Sequence, residues 1–200
     1  MKKFGKEYGK YYYYYEYLII SSNFLKFEGE FLNNERLKGK EYDKFGEIIF
    51  EGVYKNGKKW NGKSFDTYYN DVYELIDGNG KIREYNDQHD LKFEGFYLKG
   101  KKNGKGKEYF NMGLKLAFEG EYLNGERHGK GKTYYKNGKI EFEGEFKYGK
   151  KNGKGKEYDI DGKLSFEGEY KYGERYGKGK EYNNKGEIIF EGDYYYGKKN

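Results

Sequence analysis

The chain has 200 residues, with 40 basic and 34 acidic side chains for a net charge of +6, and it contains neither Cys nor Pro. The missing cysteines exclude a disulfide framework, a thiol nucleophile and a thiolate metal site, and no run of about 18 uncharged apolar residues is present to span a membrane. Leu, Ile, Val and Phe make up just under a fifth of the chain, at the border of disorder, but 27 Tyr and 15 Phe recur at fixed spacing, so the expected core is aromatic.

Residues 1–24 begin with Lys2 and Lys3 and continue through Gly5, Gly9 and a tyrosine run from Tyr11 to Tyr15. They contain no apolar leader, and together with the absence of Cys this favours an intracellular setting, cytoplasmic or membrane-peripheral. The segment reads as an atypical capping unit, with Glu16-Tyr17 standing where Glu157-Tyr158 stands later. The single Ala and the abundance of Lys, Asn, Ile, Tyr and Phe are the set that AT-rich codons encode.

From residue 25 onward the triplet Phe-Glu-Gly recurs seven times, starting at Phe27, Phe50, Phe93, Phe118, Phe142, Phe166 and Phe190, at intervals of 23, 43, 25, 24, 24 and 24 residues. A period of this size marks supersecondary units that bury their apolar faces only by stacking on one another. Two positions before each triplet stands an aliphatic residue: Leu25, Ile48, Leu91, Leu116, Ile140, Leu164 or Ile188. Leu164, Phe166, Gly168 and Tyr170 then alternate with Ser165, Glu167 and Glu169, the period of a half-buried strand.

The long interval between Phe50 and Phe93 is close to two units. It reads as one degenerate repeat near residues 65–92, retaining Tyr73-Glu74-Leu75 and the turn-like Asp77-Gly78-Asn79-Gly80. A short helix is the alternative, because Phe65, Tyr68, Tyr69, Val72, Leu75 and Ile76 also fall at helical spacing. Residues 25–200 thus hold about eight units, with a half unit at 190–200.

Within a unit, Gly153 to Tyr158 is the second strand. Asp161-Gly162, like Asn137-Gly138 one unit earlier, joins it to the next as a two-residue type I′ turn. That turn sets Gly155 opposite Gly168, Lys156 opposite Glu167 and Lys154 opposite Glu169. On the other side of the strand, a register with Gly177 opposite Tyr170 sets Gly168 against Gly179, Glu167 against Lys180 and Glu169 against Lys178. Every such Glu then lies between two lysines on the outer face. The inner face carries a row of glycines that leaves room for the rings and lets the sheet twist. The fold class is all-β, an elongated, twisted, single-layer antiparallel β-hairpin array, concave on its aromatic side.

Three motifs invite chemical readings. Gly57 to Ser64, Gly-Lys-Lys-Trp-Asn-Gly-Lys-Ser, matches the phosphate-loop pattern, but its glycines hold the unit positions of Gly149 and Gly153, so a recurring glycine-lysine turn generates it. Asp159-Ile160-Asp161-Gly162 opens like a calcium loop and lacks the later ligands; a hairpin turn explains it. His89 and His128 lie in different units and read as solvated turn residues. No cofactor, metal or catalytic residue is expected, and the chain reads as a non-enzyme.

The unit, as in Phe118-Glu119-Gly120-Glu121-Tyr122 followed by Gly125, Gly129 and Gly131, resembles the MORN repeat. Tyr134-Tyr135-Lys136-Asn137-Gly138-Lys139 is similar to the variant MORN repeat of antitoxin-like proteins. The resemblance covers most of residues 25–200, with Tyr or Phe at the usual Trp position, Asn34 in place of a glycine, and one residue fewer in the unit that begins at Phe27. It implies an elongated hairpin array acting as a scaffold, often as a homodimer, with phospholipid binding reported or proposed for the family.

Two functional surfaces follow. A protein partner is expected along the aromatic face of Phe93, Tyr97, Phe118, Tyr122, Phe142, Phe146, Phe166 and Tyr170. Anionic lipid is the alternative ligand, met by the columns of Lys105, Lys107, Lys130, Lys132, Lys154, Lys156, Lys178 and Lys180. Because each of these lysines faces Glu, the column is largely neutralised, and no nucleic-acid binding is expected from it. An antitoxin-like module is a third reading.

Overall fold

The computed structural model describes residues 7–13, 24–43, 45–66, 71–86, 90–110 and 115–200, and among them every regular element is a β-strand. The expected capping pair Glu16-Tyr17, the residues Tyr68 and Tyr69 of the helical alternative, and His89 lie outside the described residues. The chain divides into two compact units, Met1–Lys101 and Lys102–Asn200.

The first unit runs β1 (Glu7–Tyr13), β2 (Phe24–Leu32), β3 (Glu35–Tyr42), β4 (Ile48–Lys55), β5 (Lys58–Phe65), β6 (Val72–Ile76), β7 (Asn79–Tyr85) and β8 (Leu91–Leu98). Each strand pairs antiparallel with the next in sequence. Val72, Leu75 and Ile76 are therefore in a strand and not in a helix. A regular alternation and the left-handed Asp77-Gly78 pair favour a hairpin over a helical turn there. No Phe-Glu-Gly is present in this degenerate unit, yet Leu75 and Ile82 are buried in its place. Arg83 pairs with the buried Asp66 and, at 3.2 Å, with Glu94.

The second unit contains β9 (Lys101–Tyr109), β10 (Leu116–Leu123), β11 (Glu126–Tyr134), β12 (Ile140–Lys147), β13 (Lys150–Tyr158), β14 (Leu164–Lys171), β15 (Glu174–Tyr182), β16 (Ile188–Tyr195) and the short β17 (Lys198–Lys199). It too is an antiparallel meander in chain order. The expected register across β13 and β14 holds, with Gly155 opposite Gly168, Lys156 opposite Glu167 and Lys154 opposite Glu169.

The turns differ from the expected ones. At Asp161-Gly162 only the glycine is left-handed, with φ +84°, and at Asn137-Gly138 only Gly138, with φ +87°. These are longer connections in which the Asp159 carboxylate accepts the amides of Asp161 and Lys163 at 2.9 and 2.8 Å. That cap removes the need for a second left-handed residue, and a one-residue shift brings Tyr158 opposite Leu164. The calcium-like sequence is thus a self-capped turn. Turns with both central residues left-handed occur at the opposite end of each hairpin, as at Tyr148-Gly149 and Tyr172-Gly173.

Across β14 and β15 the expected register holds for Glu167 with Lys180 and Gly168 with Gly179, but Tyr170 lies opposite Arg175 and not Gly177. The tight Tyr172-Gly173 turn sets this local pairing, and a bulge at Tyr176 to Lys178 absorbs the mismatch. Glu169 therefore faces Lys154 but not Lys178. Gly57 closes a turn and Lys58 to Ser64 lie within β5, with a bulge at Trp60, so the phosphate-loop pattern forms no loop. His128, expected in a turn, is half-buried within β11.

Candidate interaction surface

Phe27, Phe50, Phe118, Phe142, Phe166 and Phe190 of the repeated triplet each pack against glycine. A Cβ built on Gly155 would lie 2.4 Å from the Phe142 ring, and one on Gly131 2.6 Å from the Phe118 ring. The rings continue as a herringbone: Phe142 meets Phe146 at 5.4 Å and Tyr170 of the next unit at 5.2 Å, both edge to face. Phe166 repeats this with Tyr170 at 5.6 Å and Tyr194 at 5.3 Å. Such edge-to-face pairs add to what area burial alone provides.

A layer of cations covers the rings. Arg175 lies 4.1 Å above Phe166, Lys151 4.4 Å above Phe142, Arg127 4.3 Å above Phe118 and Lys199 4.8 Å above Phe190. In the first unit Arg36 covers Phe27 and Lys59 covers Phe50, at 4.6 and 4.8 Å. The covering residue is always nine positions after the Phe, and the sequence has Lys or Arg there in all seven units, Lys102 included. Its aliphatic stem shields the ring while its charge meets the ring face.

Carboxylates lock this layer. Glu157 accepts from Lys151 at 2.8 Å and from Arg175 at 2.6 Å, and Glu181 from Arg175 at 2.8 Å and Lys199 at 2.6 Å. Glu108 pairs with Arg127, and Glu41 holds Arg36 and Lys59 at 2.5 and 2.7 Å. Burial alone would raise the Glu157 pKa, but hydrogen bonds and charge from Lys151 and Arg175 hold it below the ordinary value. The same opposition lowers Glu41, Glu108 and Glu181. Burial pushes the Tyr170 phenol upward, helped by the charge of Glu157. None of these groups is tuned toward neutrality as an acid or base would need.

On the outer face Glu143 accepts from the Tyr158 phenol at 2.6 Å and faces Lys132 at 3.3 Å. Glu167 likewise takes Tyr182 at 2.7 Å and Lys156 at 3.6 Å, and Glu191 takes Lys180 at 3.1 Å. The tyrosine hydrogen bond is the chief reason that the Glu167 pKa is lowered, and through it the Tyr182 phenol rises to about 12. In register, Lys107 faces Glu119, Lys105 Glu121, Lys130 Glu145 and Lys178 Asp193. All eight lysines of the expected lipid-binding columns therefore stand opposite an acidic residue.

The residues expected to meet a partner are also those of the expected aromatic core. Phe93, Phe118, Tyr122, Phe142, Phe146, Phe166 and Tyr170 are buried, and Tyr97 is half-buried with its hydroxyl on Glu84. What that face presents is the cation and carboxylate layer. In the sequence each of these cations looks like an ordinary solvated charge, and their signal is the invariant spacing from Phe.

Compared with known proteins, residues 93–115, 118–140, 142–163 and 166–187 each match the family model described as MORN repeat. No curated protein matches the chain. The four matches cover strands β8 to β15, and the ring, glycine and cation geometry recurs at Phe27 and Phe50. Residues 93–187 therefore carry four MORN repeats.

Proposed function

We propose that this chain is a non-enzymatic scaffold that holds a protein partner along its repeat surface. MORN repeats generally serve as scaffold and membrane-interaction modules. The observation that carries the reading is the regular cation and carboxylate layer above the aromatic core, an extended and chemically uniform surface whose acidic groups are held ionised. A partner on this face meets Arg127, Lys151, Arg175 and their carboxylates, with Phe and Tyr beneath as support. Affinity capture with the intact chain and with a form lacking residues 118–200 tests it: loss of partners in the short form supports the reading, and equal capture by both excludes the second unit's repeat face.

Peripheral binding to anionic lipid is the weaker reading, since the outer lysines already face carboxylates. Flotation with phosphatidylserine vesicles at low salt decides it, and no co-flotation removes it. Among the described residues no helix is long and apolar enough to cross a membrane.

A further inference from the structure

The tight turns of the hairpins carry an irregularity of backbone and side chain. At Asn33, Asn56, Asp77 and Asn124 the first left-handed position holds Asn or Asp, the side chains that tolerate it, and at one turn it holds Lys99. In three consecutive turns of the second unit it holds tyrosine instead: Tyr148 at φ 52°, Tyr172 at φ 55° and Tyr196 at φ 46°. A bulky residue in left-handed backbone is disfavoured. Burial offsets little of this, the rings being 66, 64 and 47% exposed, although Tyr196 meets Tyr176 and Tyr195 edge to face at 5.7 and 4.6 Å and Tyr148 meets His128 at 6.3 Å.

The same turns concentrate basic charge. Lys147, Lys150, Lys171 and Lys198 flank the tyrosines; among the described residues none of them has an ion pair, and Lys147 and Lys171 lie over the rings of Tyr148 and Tyr172 at 5.5 and 6.0 Å. Lys147 and Lys150 stand directly opposite each other, a like-charge pairing that costs stability. Lys171 faces Glu174 in register without closing an ion pair. This differs from the strand lysines, several of which hold a carboxylate within 4 Å.

The turns are also held in line. The amides of Gly149, Gly173 and Gly197 donate to the carbonyls of Arg127, Lys151 and Arg175 of the preceding hairpin, at 3.0, 2.9 and 2.9 Å. Equivalent rings thus recur every two strands, a spacing of about 9.6 Å. A polyproline II helix repeats its face every three residues, at about 9.3 Å. An extended β-strand repeats at about 6.7 Å and falls out of step with the rings.

From the strained exposed rings, the lysines without a carboxylate partner and this period, we infer that the turn edge of Tyr148, Tyr172 and Tyr196 docks an acidic, proline-rich segment of a protein partner in the polyproline II conformation. Prolines sit against the faces of successive rings, as in other aromatic-lined polyproline sites, and carboxylates reach the lysines between them. The inference rests on the scaffold reading and names the chemistry of its partner at a second surface.

The test uses the full chain and a labelled peptide of repeated Pro-Pro-Glu triplets, followed by fluorescence anisotropy. The variant carries Tyr148→Asn, Tyr172→Asn and Tyr196→Asn, which removes the rings and installs the side chain that Asn124 already uses. It is expected to keep or raise its thermal midpoint while its peptide affinity falls at least about tenfold. Unchanged affinity overturns the inference, as does equal binding of a Ser-Ser-Glu peptide of the same charge. A lowered midpoint removes its premise that the rings are placed at a cost. Ring-dependent binding of oligothymidylate or phosphatidylserine vesicles in place of the peptide assigns the edge to nucleic acid or membrane and overturns it too. Partner capture with parent and variant separates the two readings: a parent that captures nothing fails the scaffold reading, whereas equal capture by both fails only the turn edge.

Discussion

Arg175 shows how one side chain serves both the core and its surface. Its guanidinium covers Phe166 at 4.1 Å and bridges Glu157 and Glu181. The side chain is partly exposed, so solvent screening tempers the ionic share. Arg175→Ala is expected to lower unfolding free energy by about 1–2 kcal/mol in urea denaturation, through the uncovered ring as well as the lost charge. Arg175→Lys should restore part of that, because Lys151 and Lys199 hold the same position in adjacent units. Glycines separate into two kinds. Gly155→Ala sets a methyl into the immobile Phe142 ring and is expected to cost about 2–3 kcal/mol. Gly149→Ala has open space around it but a φ of +77°, and should cost about 1 kcal/mol from the backbone alone. Equal losses for the two would refute the assignment of Gly155 as ring space.

At the scale of the hairpin, each unit is coupled to its neighbours by rings and ion pairs that repeat with the period of the sequence. Removal of residues 142–165 takes out one whole unit of 24 residues and brings Phe166 to the place of Phe142. The shortened chain should retain its strand circular dichroism with a modest fall in thermal midpoint. Removal of residues 142–153 alone destroys the register, and the strands after it should lose protection from hydrogen exchange. Much of this element was legible beforehand. Alternation identified the strands, and the outer Lys and Glu pairing followed from counting except at Glu169, which does not meet Lys178. The turns were misassigned because local propensity favours Asn-Gly and Asp-Gly for the left-handed pair. The folded chain puts Tyr-Gly there and lets Asp159 cap the other connection with its side chain.

For the molecule as a whole, the pH response follows from the covering layer. Glu41, Glu108, Glu157 and Glu181 have folded pKa values below the ordinary 4.5 despite burial. A lowered carboxylate pKa contributes stability that is complete above the unfolded value and lost as pH falls through the folded one. Stability should therefore decline as pH drops below about 4.5, and Glu157→Gln should flatten that slope in urea titrations. The buried phenols act in the opposite direction. Tyr54, Tyr122 and Tyr170 are raised above the ordinary 10.0, chiefly by burial. Their contribution is complete below 10.0 and is lost as pH rises through the folded values, so tyrosinate absorbance should report a fraction of phenols that ionise only with alkaline unfolding.

What the sequence determined by itself was the period, the strand pattern, the outer-face register and the family resemblance, because each is written in nearest-neighbour alternation and simple spacing. Only the tertiary structure decided what covers the aromatic face. Arg175 is nine residues from Phe166 along the chain and on the opposite strand of the hairpin, and its place above the ring depends on a tight turn and a bulge that spacing does not specify. The Phe-Glu-Gly repeat thus announces a sheet, while the folded hairpin makes that sheet self-covering, with a charged layer where a second apolar layer would otherwise be required.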